Sequence, residues 1–541
     1  MNHRPSKKYL MKFRMVILGY FVLSLIFMRV GYVQDQKVLR ISLPVDMGTF
    51  DPALTRSVEE DNVFAQIFEG LTVYDPKTCM PSQGVSKKWV ISKDLLTYTF
   101  YLRNDAKWSD GSKVTAYDFV YGWKRLIDRK IASPWSFQLF NIKNAKNYYE
   151  EKIKDFSLVG IKAKDDETLV VELEKPQPYF LALLAHPSMS PIKSGIVETL
   201  GNEWTKPLKL ISNGAFTLAY FEPRDRIVLK KNPFYWESNL IKINEVQYFA
   251  IENEETALKM YETDMLDINS GDPPIAKIPF MKSRKDFRKA NYLGVYFYRL
   301  NTKKEPFNDL NVRKAFNLVI DKRIITDKIL KGGQKPAYNF VPEGIISYSP
   351  PKGDVFNPSR ARELFSKAGF CVKGFNTKDC KEFPKIEILF NTLGGHKNIA
   401  EAIQSMLKDN LGLDSVELVN KDFKTVQALT KVGDFQMVRG GWAADYVDPT
   451  TFLYMWQKDS ANNLTGWSDN VYDQLIAQAE NTIDIKKRAK FYSEAEKILN
   501  DQLPFIPIYF YVRHYLIKDY VKGYFDNILD KHPLKYVYIS K

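Results

Sequence analysis

The chain has 541 residues, 45% hydrophobic and 26% charged, which excludes disorder and low complexity and provides for two or three domains with sizeable cores. Its formal charge of +14 falls to +8 once residues 1–34, with six Lys/Arg and no Asp/Glu, are set aside. Basic and acidic residues are interspersed, without a long run or an aromatic-plus-glycine RNA signature, so nucleic acid is not an expected partner.

At the N-terminus, Arg4, Lys7, Lys8, Lys12 and Arg14 precede the uncharged run Met15 to Met28. That run is short for a bilayer span and suits the apolar region of a secretory signal. Arg29, Val30, Gly31 and Tyr32 make a poor cleavage site, so an uncleaved anchor stays open beside a cleaved signal. No cysteine near the run offers a lipid attachment point. Of the three cysteines, Cys371 and Cys380 bracket a loop short enough for a disulfide, with free thiols as the alternative. Five histidines, none clustered with a cysteine, give no zinc site.

Val38 to Asp46 alternates as a strand and ends in the Asp51-Pro52 turn. SVEEDNVFAQIFEGL predicts a helix with Val63, Ile67 and Leu71 at helical spacing behind an acidic first turn. Thr97 to Arg103 reads as a strand. Thr115 and Asp118 form a capping box for a helix carrying Phe119, Trp123 and Leu126 on one face. Phe216, Leu218 and Tyr220 alternate, Glu222 to Asp225 turn, and Ile227 and Leu229 resume the alternation, predicting a hairpin.

Tyr292 to Asn301 is rich in strand formers. A helix begins near Asn308 to Asn311 and buries Val312, Phe316 and Val319 or Ile320; another is capped by Asn357 or Ser359 and stopped by Gly369. KIEILFN reads as a buried strand, NIAEAIQSMLKDNLG as a helix ending at Gly412, and Phe435 to Val438 as a strand. No internal repeat is present, and GxSxG, HExxH and the phosphate-cradling GxxxxGK[ST] are missing.

The densest constellation is RGGWAADYVDPTTFL, Arg439 to Leu453. Gly440 and Gly441 permit close approach, Pro449 suits a first helical turn, and Asp445 among aromatics is a receiver for a cation. A solvated loop aspartate beside a core tryptophan is the plain alternative. Asp445 and Asp448 do not suit a glycosidase pair, since they stand three apart in one segment rather than facing each other across a bond.

WAADYVDPTTFL resembles the signature of the solute-binding proteins that feed bacterial oligopeptide ABC transporters. The resemblance extends through EGLTVYDP, the stretch Leu96 to Leu126, DDETLVVELEKPQPYFLALLAHPSMSPI and SNGAFTLAYFEPRDRIVLKKNPFYW. It implies an α/β, two-lobed periplasmic-binding-protein (type II) fold with an extra third domain. The implied division is a signal or anchor at 1–34, lobe I at 35–70, 195–294 and 512–541, the extra domain at 71–194, and lobe III at 295–511. Strands near Tyr292–Asn301 and Leu503–Leu516 would cross between the lobes as a hinge.

By the same resemblance Asp445 takes a peptide's α-amine, while His396 and Arg439 serve the carboxylate end. Read alone, His396 is a helix-start or surface residue. Trp442, Tyr446, Trp135, Gly294 and Tyr296 complete the expected ligand contacts, with core packing as the other reading of each tryptophan. Arg56 and Arg299 stand where acidic pocket residues are expected, which suggests acidic ligands such as murein peptides; solvent-facing arginines are the alternative. The resemblance implies a monomeric, periplasmic, non-enzymatic protein without cofactor or metal. Its partners are an oligopeptide and the permease subunits of an importer, and a different solute such as haem, or a secreted hydrolase, are the rival readings.

Overall fold

The computed structural model describes residues 37–346, 348–372, 379–392 and 395–540. The expected signal or anchor segment lies outside the described residues, as does most of the loop between Cys371 and Cys380. Those two cysteines are joined by a disulfide, with Cα atoms 4.8 Å apart.

A single large sheet organises the chain. From one edge its strands run Val416–Lys421, Ile386–Asn391, Met437–Ala443, Phe287–Leu300, Phe505–Ile517, Ile268–Asn269, Val38–Leu43, Glu245–Ala250, Arg226–Lys231 and Phe216–Glu222. Two hydrophobic clusters, one around Phe316, Ile388 and Ile403 and one around Phe297, Phe340 and Trp456, lie towards the first edge. A third, around Phe64, Phe216 and Val246, lies towards the other. These are the cores of two lobes, and the strands Phe287–Leu300 and Phe505–Ile517 belong to both.

Those two strands pair antiparallel from Phe287↔Leu516 to Asn291↔Val512, and again from Val295↔Phe510 to Arg299↔Phe505. Between the ladders, three residues (292–294) face one (511). Such a bulge bends a strand and concentrates its twist. The boundaries expected at 294/295 and 511/512 therefore fall inside two continuous strands, at the wider of two irregular points, the other lying between Tyr296 and Phe297.

The extra domain is an antiparallel sheet in the order Ser86–Ile91, Thr97–Leu102, Thr168–Glu172, Ile161–Asp165. The helix Ala116–Leu126 covers it, and Phe119, Trp123 and Leu126 are fully buried as the spacing predicts. Thr115 and Asp118 form the reciprocal capping box. Its core reaches from Ala53 to Met189, beginning earlier than the boundary expected at 71.

Local expectations hold where side-chain chemistry sets the element. Asn357 caps Pro358–Lys367, and Gly369, at φ 86°, follows its end. Gly412 at φ 78° ends His396–Leu411. Two differ. The strand expected at Phe435–Val438 starts at Met437 and continues through the glycines to Ala443, because Phe287–Leu300 pairs with it residue by residue. In the predicted hairpin a register shift between Leu218 and Tyr220 turns Tyr220 outwards, leaving it 41% exposed.

Candidate solute-binding site

The strand Met437–Ala443 positions the site. It pairs antiparallel along Phe287–Leu300, with Tyr298 opposite Arg439, Tyr296 opposite Gly441 and Gly294 opposite Ala443. Its other edge pairs with Ile386–Asn391 only at Met437 and Val438. Among the described residues, the edge from Arg439 to Ala443 therefore has no strand partner.

The two glycines make room for two guanidinium groups. A Cβ on Gly441 would lie 2.8 Å from the Tyr511 hydroxyl and 3.2 Å from Arg439 Nη2; one on Gly440 would lie 2.6 Å from Arg299 Nη1. Successive residues of a strand face opposite sides, so Arg439 and Arg299 flank the sheet on its two faces. Gly294 serves the same region, since a Cβ there would lie 2.9 Å from the Tyr511 ring.

Arg439 donates to the Tyr511 hydroxyl at 2.9 Å and lies 4.8 Å from the centre of the Tyr296 ring. His396, 8% exposed at the start of its helix, has Nδ1 3.3 Å from the Tyr296 hydroxyl, and its buried Nε2 has no partner among the described groups. Burial and the nearby Arg439 charge push His396 down to about 3, so the ring is neutral and contributes hydrogen bonding rather than charge. Arg299 packs against the Phe297 ring at 4.9 Å and Met455 Sδ at 4.0 Å. Burial and Arg439 lower it to about 10. Among the described residues no carboxylate pairs with Arg439 or Arg299.

Beyond the strand, Ala444 N–H donates to Leu293 O and Asp445 N–H to Thr451 Oγ1, fixing the turn that presents Asp445. The Asp445 carboxylate is half-buried and no cation bonds it among the described residues. Burial, reinforced by Asp61, raises it to about 6 against the opposing pull of His186 and Lys531. Asp445, Tyr446, Tyr454 and Tyr179 line a cavity of about 180 Å³ between the extra domain and lobe III.

Asp448 differs from Asp445 in being fully engaged. It accepts from Thr450 N–H and Oγ1 and from Arg488 at 2.8 Å. It therefore caps the turn that Pro449 opens into Thr450–Leu453.

The remaining expected residues are distributed as follows. Tyr446 is 4% exposed and lies ring on ring with Tyr179. Trp442 donates to Thr451 O at 2.6 Å with its ring edge-on to Tyr454; Trp135 donates to Thr55 O at 2.7 Å and packs on His186 with ring centres 4.2 Å apart. Both indoles are half-buried. Arg56 is exposed beside its helix start, its N–H donating to Glu60, in surroundings unlike those of Arg299.

Sequence reading missed the cluster that backs Asp445. Asp61 accepts from Thr55 Oγ1 at 2.7 Å and Lys531 at 3.1 Å, with His186 Nε2 3.2 Å away. Burial opposes its charge, but Lys531 and His186 hold Asp61 well below the usual carboxylate range. Asp61, His186 and Lys531 come from distant parts of the chain and carry no common motif. Among the described residues no group of three or more His, Cys, Asp or Glu side chains is arranged to hold a metal ion, and no helix is long and apolar enough to cross a membrane.

Residues 81–463 match the family described as bacterial extracellular solute-binding proteins, family 5, middle region. The chain belongs to that family. Over 516 residues this family-5 protein is 37% identical to the periplasmic oligopeptide-binding protein OppA of Salmonella typhimurium strain LT2, covering 94% of this chain and 92% of the relative. The solved structure of the Escherichia coli murein tripeptide binding protein MppA superposes with a TM-score of 0.81 at 34% identity, covering 94% of this chain and 99% of that one. The Haemophilus influenzae OppA complex with RPPGFSPFR gives 0.80 at 35%, covering 94% and 100%. These likenesses fix the type II binding-protein fold.

Proposed function

We propose that this family-5 protein is the extracytoplasmic component of a peptide ABC importer, enclosing short extended peptides between its lobes and presenting them unaltered to a membrane permease. The observation that carries the reading is the unpaired strand edge from Arg439 to Ala443, flanked at one end by Asp445 and at the other by Arg439 with His396. An extended peptide adds to such an edge through its main chain, which recognises backbone and not side chains. Asp445 receives the ammonium; Arg439 supplies the charge and His396 an N–H for the carboxylate.

The spacing supports a short ligand. Asp445 lies six positions after Arg439, at most about 20 Å in extended chain, which matches a peptide of roughly three to five residues. The relatives named as periplasmic oligopeptide binders support the ligand class and an exported location, with residues 1–34 as the export signal or anchor. The protein acts as a monomer.

A second reading of specificity rests on Arg299, a half-buried cation with no carboxylate partner among the described residues. It favours ligands with extra carboxylates, of which murein peptides, bound by the structural relative MppA, are an example. Matched acidic and basic tripeptides measure this directly: equal or base-favoured affinity overturns it.

Native mass spectrometry of the protein purified without denaturation tests the main reading. A ladder of peptide masses in wild type, lost in Asp445→Ala, is the expected result. A clean wild type, or one carrying a haem or sugar, overturns it.

A further inference from the structure

The loop that presents Asp445 belongs to lobe III, yet the surfaces that hold it belong largely to the extra domain. The Tyr74 hydroxyl lies 3.0 Å from two carbonyl oxygens at once, Ala182 of the extra domain and Asp445 itself. Its single proton is shared between them, so one phenol bridges the two domains at the main chain of the amine receiver. One residue on, the Tyr446 ring stacks on Tyr179 with centroids 4.6 Å apart and planes 3° from parallel. Tyr446 forms a small buried cluster with Ala182 and Leu183, which lie on the short helix Phe180–Leu183. Lys175 reaches across the same boundary to Glu480 at 2.6 Å.

Tyr74 stands on the strand Thr72–Tyr74, which is fastened to the helix through Thr72 Oγ1 donating to Leu181 O at 2.7 Å. The phenol is thus anchored on the extra-domain side independently of its bond to Asp445. On the lobe III side, the Asp445 peptide is held by its N–H to Thr451 Oγ1 and by the Tyr74 bond to its carbonyl. Removing the phenol frees the carbonyl end of that peptide, the end nearest the stacked Tyr446.

We infer that Tyr74 is a positioning residue for the amine anchor: the extra domain, through this hydroxyl, aims the Asp445 carboxylate, so that capture of a ligand's ammonium depends on contact between the extra domain and lobe III. The inference rests on the reading of Asp445 as the ammonium receiver. It assigns the extra domain a share in recognition while leaving the unpaired strand edge to bind the ligand backbone unaided.

The test is isothermal titration of wild type and Tyr74→Phe, each with tri-alanine and with N-acetyl-tri-alanine. The variant keeps the ring and deletes only the hydroxyl. Wild type should favour the free amine, and in Tyr74→Phe that preference should shrink by about 5- to 10-fold, the scale of one lost hydrogen bond, with the acetylated peptide binding as before. An equal loss for both peptides would mean that the hydroxyl serves only general packing, and overturns the inference, as does an unchanged preference. A wild type that binds both peptides equally would instead remove the ammonium role of Asp445 on which the inference stands. Tyr117→Phe, which deletes a phenol hydroxyl from an exposed residue of the extra-domain helix Ala116–Leu126, serves as the reference variant and should keep the wild-type preference.

Discussion

Arg488 donates to Asp448 at 2.8 Å while Asp445, three residues earlier, meets no cation among the described residues. One short segment thus holds a carboxylate that is spent on the fold and another that is available to a ligand. Both side chains of the Arg488–Asp448 pair are nearly buried, at 13% and 6% exposed. Removing Asp448 strands the guanidinium, so Asp448→Ala should cost about 3 kcal/mol of stability in denaturant titrations. At temperatures where the variant stays folded, its preference for free-amine peptides should persist.

Asp445→Ala should behave in the opposite way. Its carboxylate is half-buried and meets no cation among the described residues, so its loss should leave the melting temperature of the empty protein unchanged or raised. Affinity for a free-amine tripeptide should fall by at least about 30-fold, in line with truncating one partner of a desolvated charge pair. Calorimetry and ligand titration on the same preparation separate the two effects.

Proton linkage sets a pH window. Asp445 is raised to about 6 in the empty protein, so below that pH it binds a proton that must leave before an ammonium is received. Peptide affinity should therefore fall as pH drops below about 6. It should fall again above about 8, where a peptide's α-amine loses its proton. For the empty protein the sign is reversed: the folded state holds the Asp445 proton more tightly than the unfolded chain, so this group's contribution to stability declines as pH rises from about 4 to about 6. Affinities measured in half-unit steps from pH 4.5 to 9 give the profile, and a flat acid limb would count against Asp445.

Gly441→Ala places a methyl 2.8 Å from the Tyr511 hydroxyl, which holds Arg439. The displaced guanidinium should bind a peptide carboxylate about tenfold more weakly, roughly 1.4 kcal/mol. A C-terminally amidated peptide should show no such loss, and comparing the two in wild type and variant isolates the carboxylate end.

Reduction of the Cys371–Cys380 bridge releases a short closed loop and should lower stability by about 2–3 kcal/mol on the chain-entropy scale. The bridge lies outside the strand that carries the site, so peptide affinity at 25 °C should stay the same.

The parts of this molecule written in local chemistry were readable from residues alone. Thr115 with Asp118, Asn357 and Gly412 mark helix ends because a side-chain oxygen or a positive φ is needed at that spot. Met437–Ala443 was read too short, because glycines depress strand preference and only pairing with Phe287–Leu300 overrides it. Asp445 and Arg439 stood out through their motif. Tyr74, Asp61, His186 and Lys531 did not, since folding brings them to Asp445 from four separate stretches of chain. The role of Asp448 was likewise invisible without Arg488, forty residues on.

The gap in the ladder at residues 292–294 has a mechanical meaning. On either side of it, Phe287–Asn291 and Val295–Arg299 remain zipped to the return strand, so separating the lobes need break none of those bonds. Two bodies joined by a floppy tether would search for each other in three dimensions; two bodies sharing a nearly continuous ribbon are held to a swing about its irregular points. Such a swing keeps the two lobes facing each other, as a frame keeps a door to its opening.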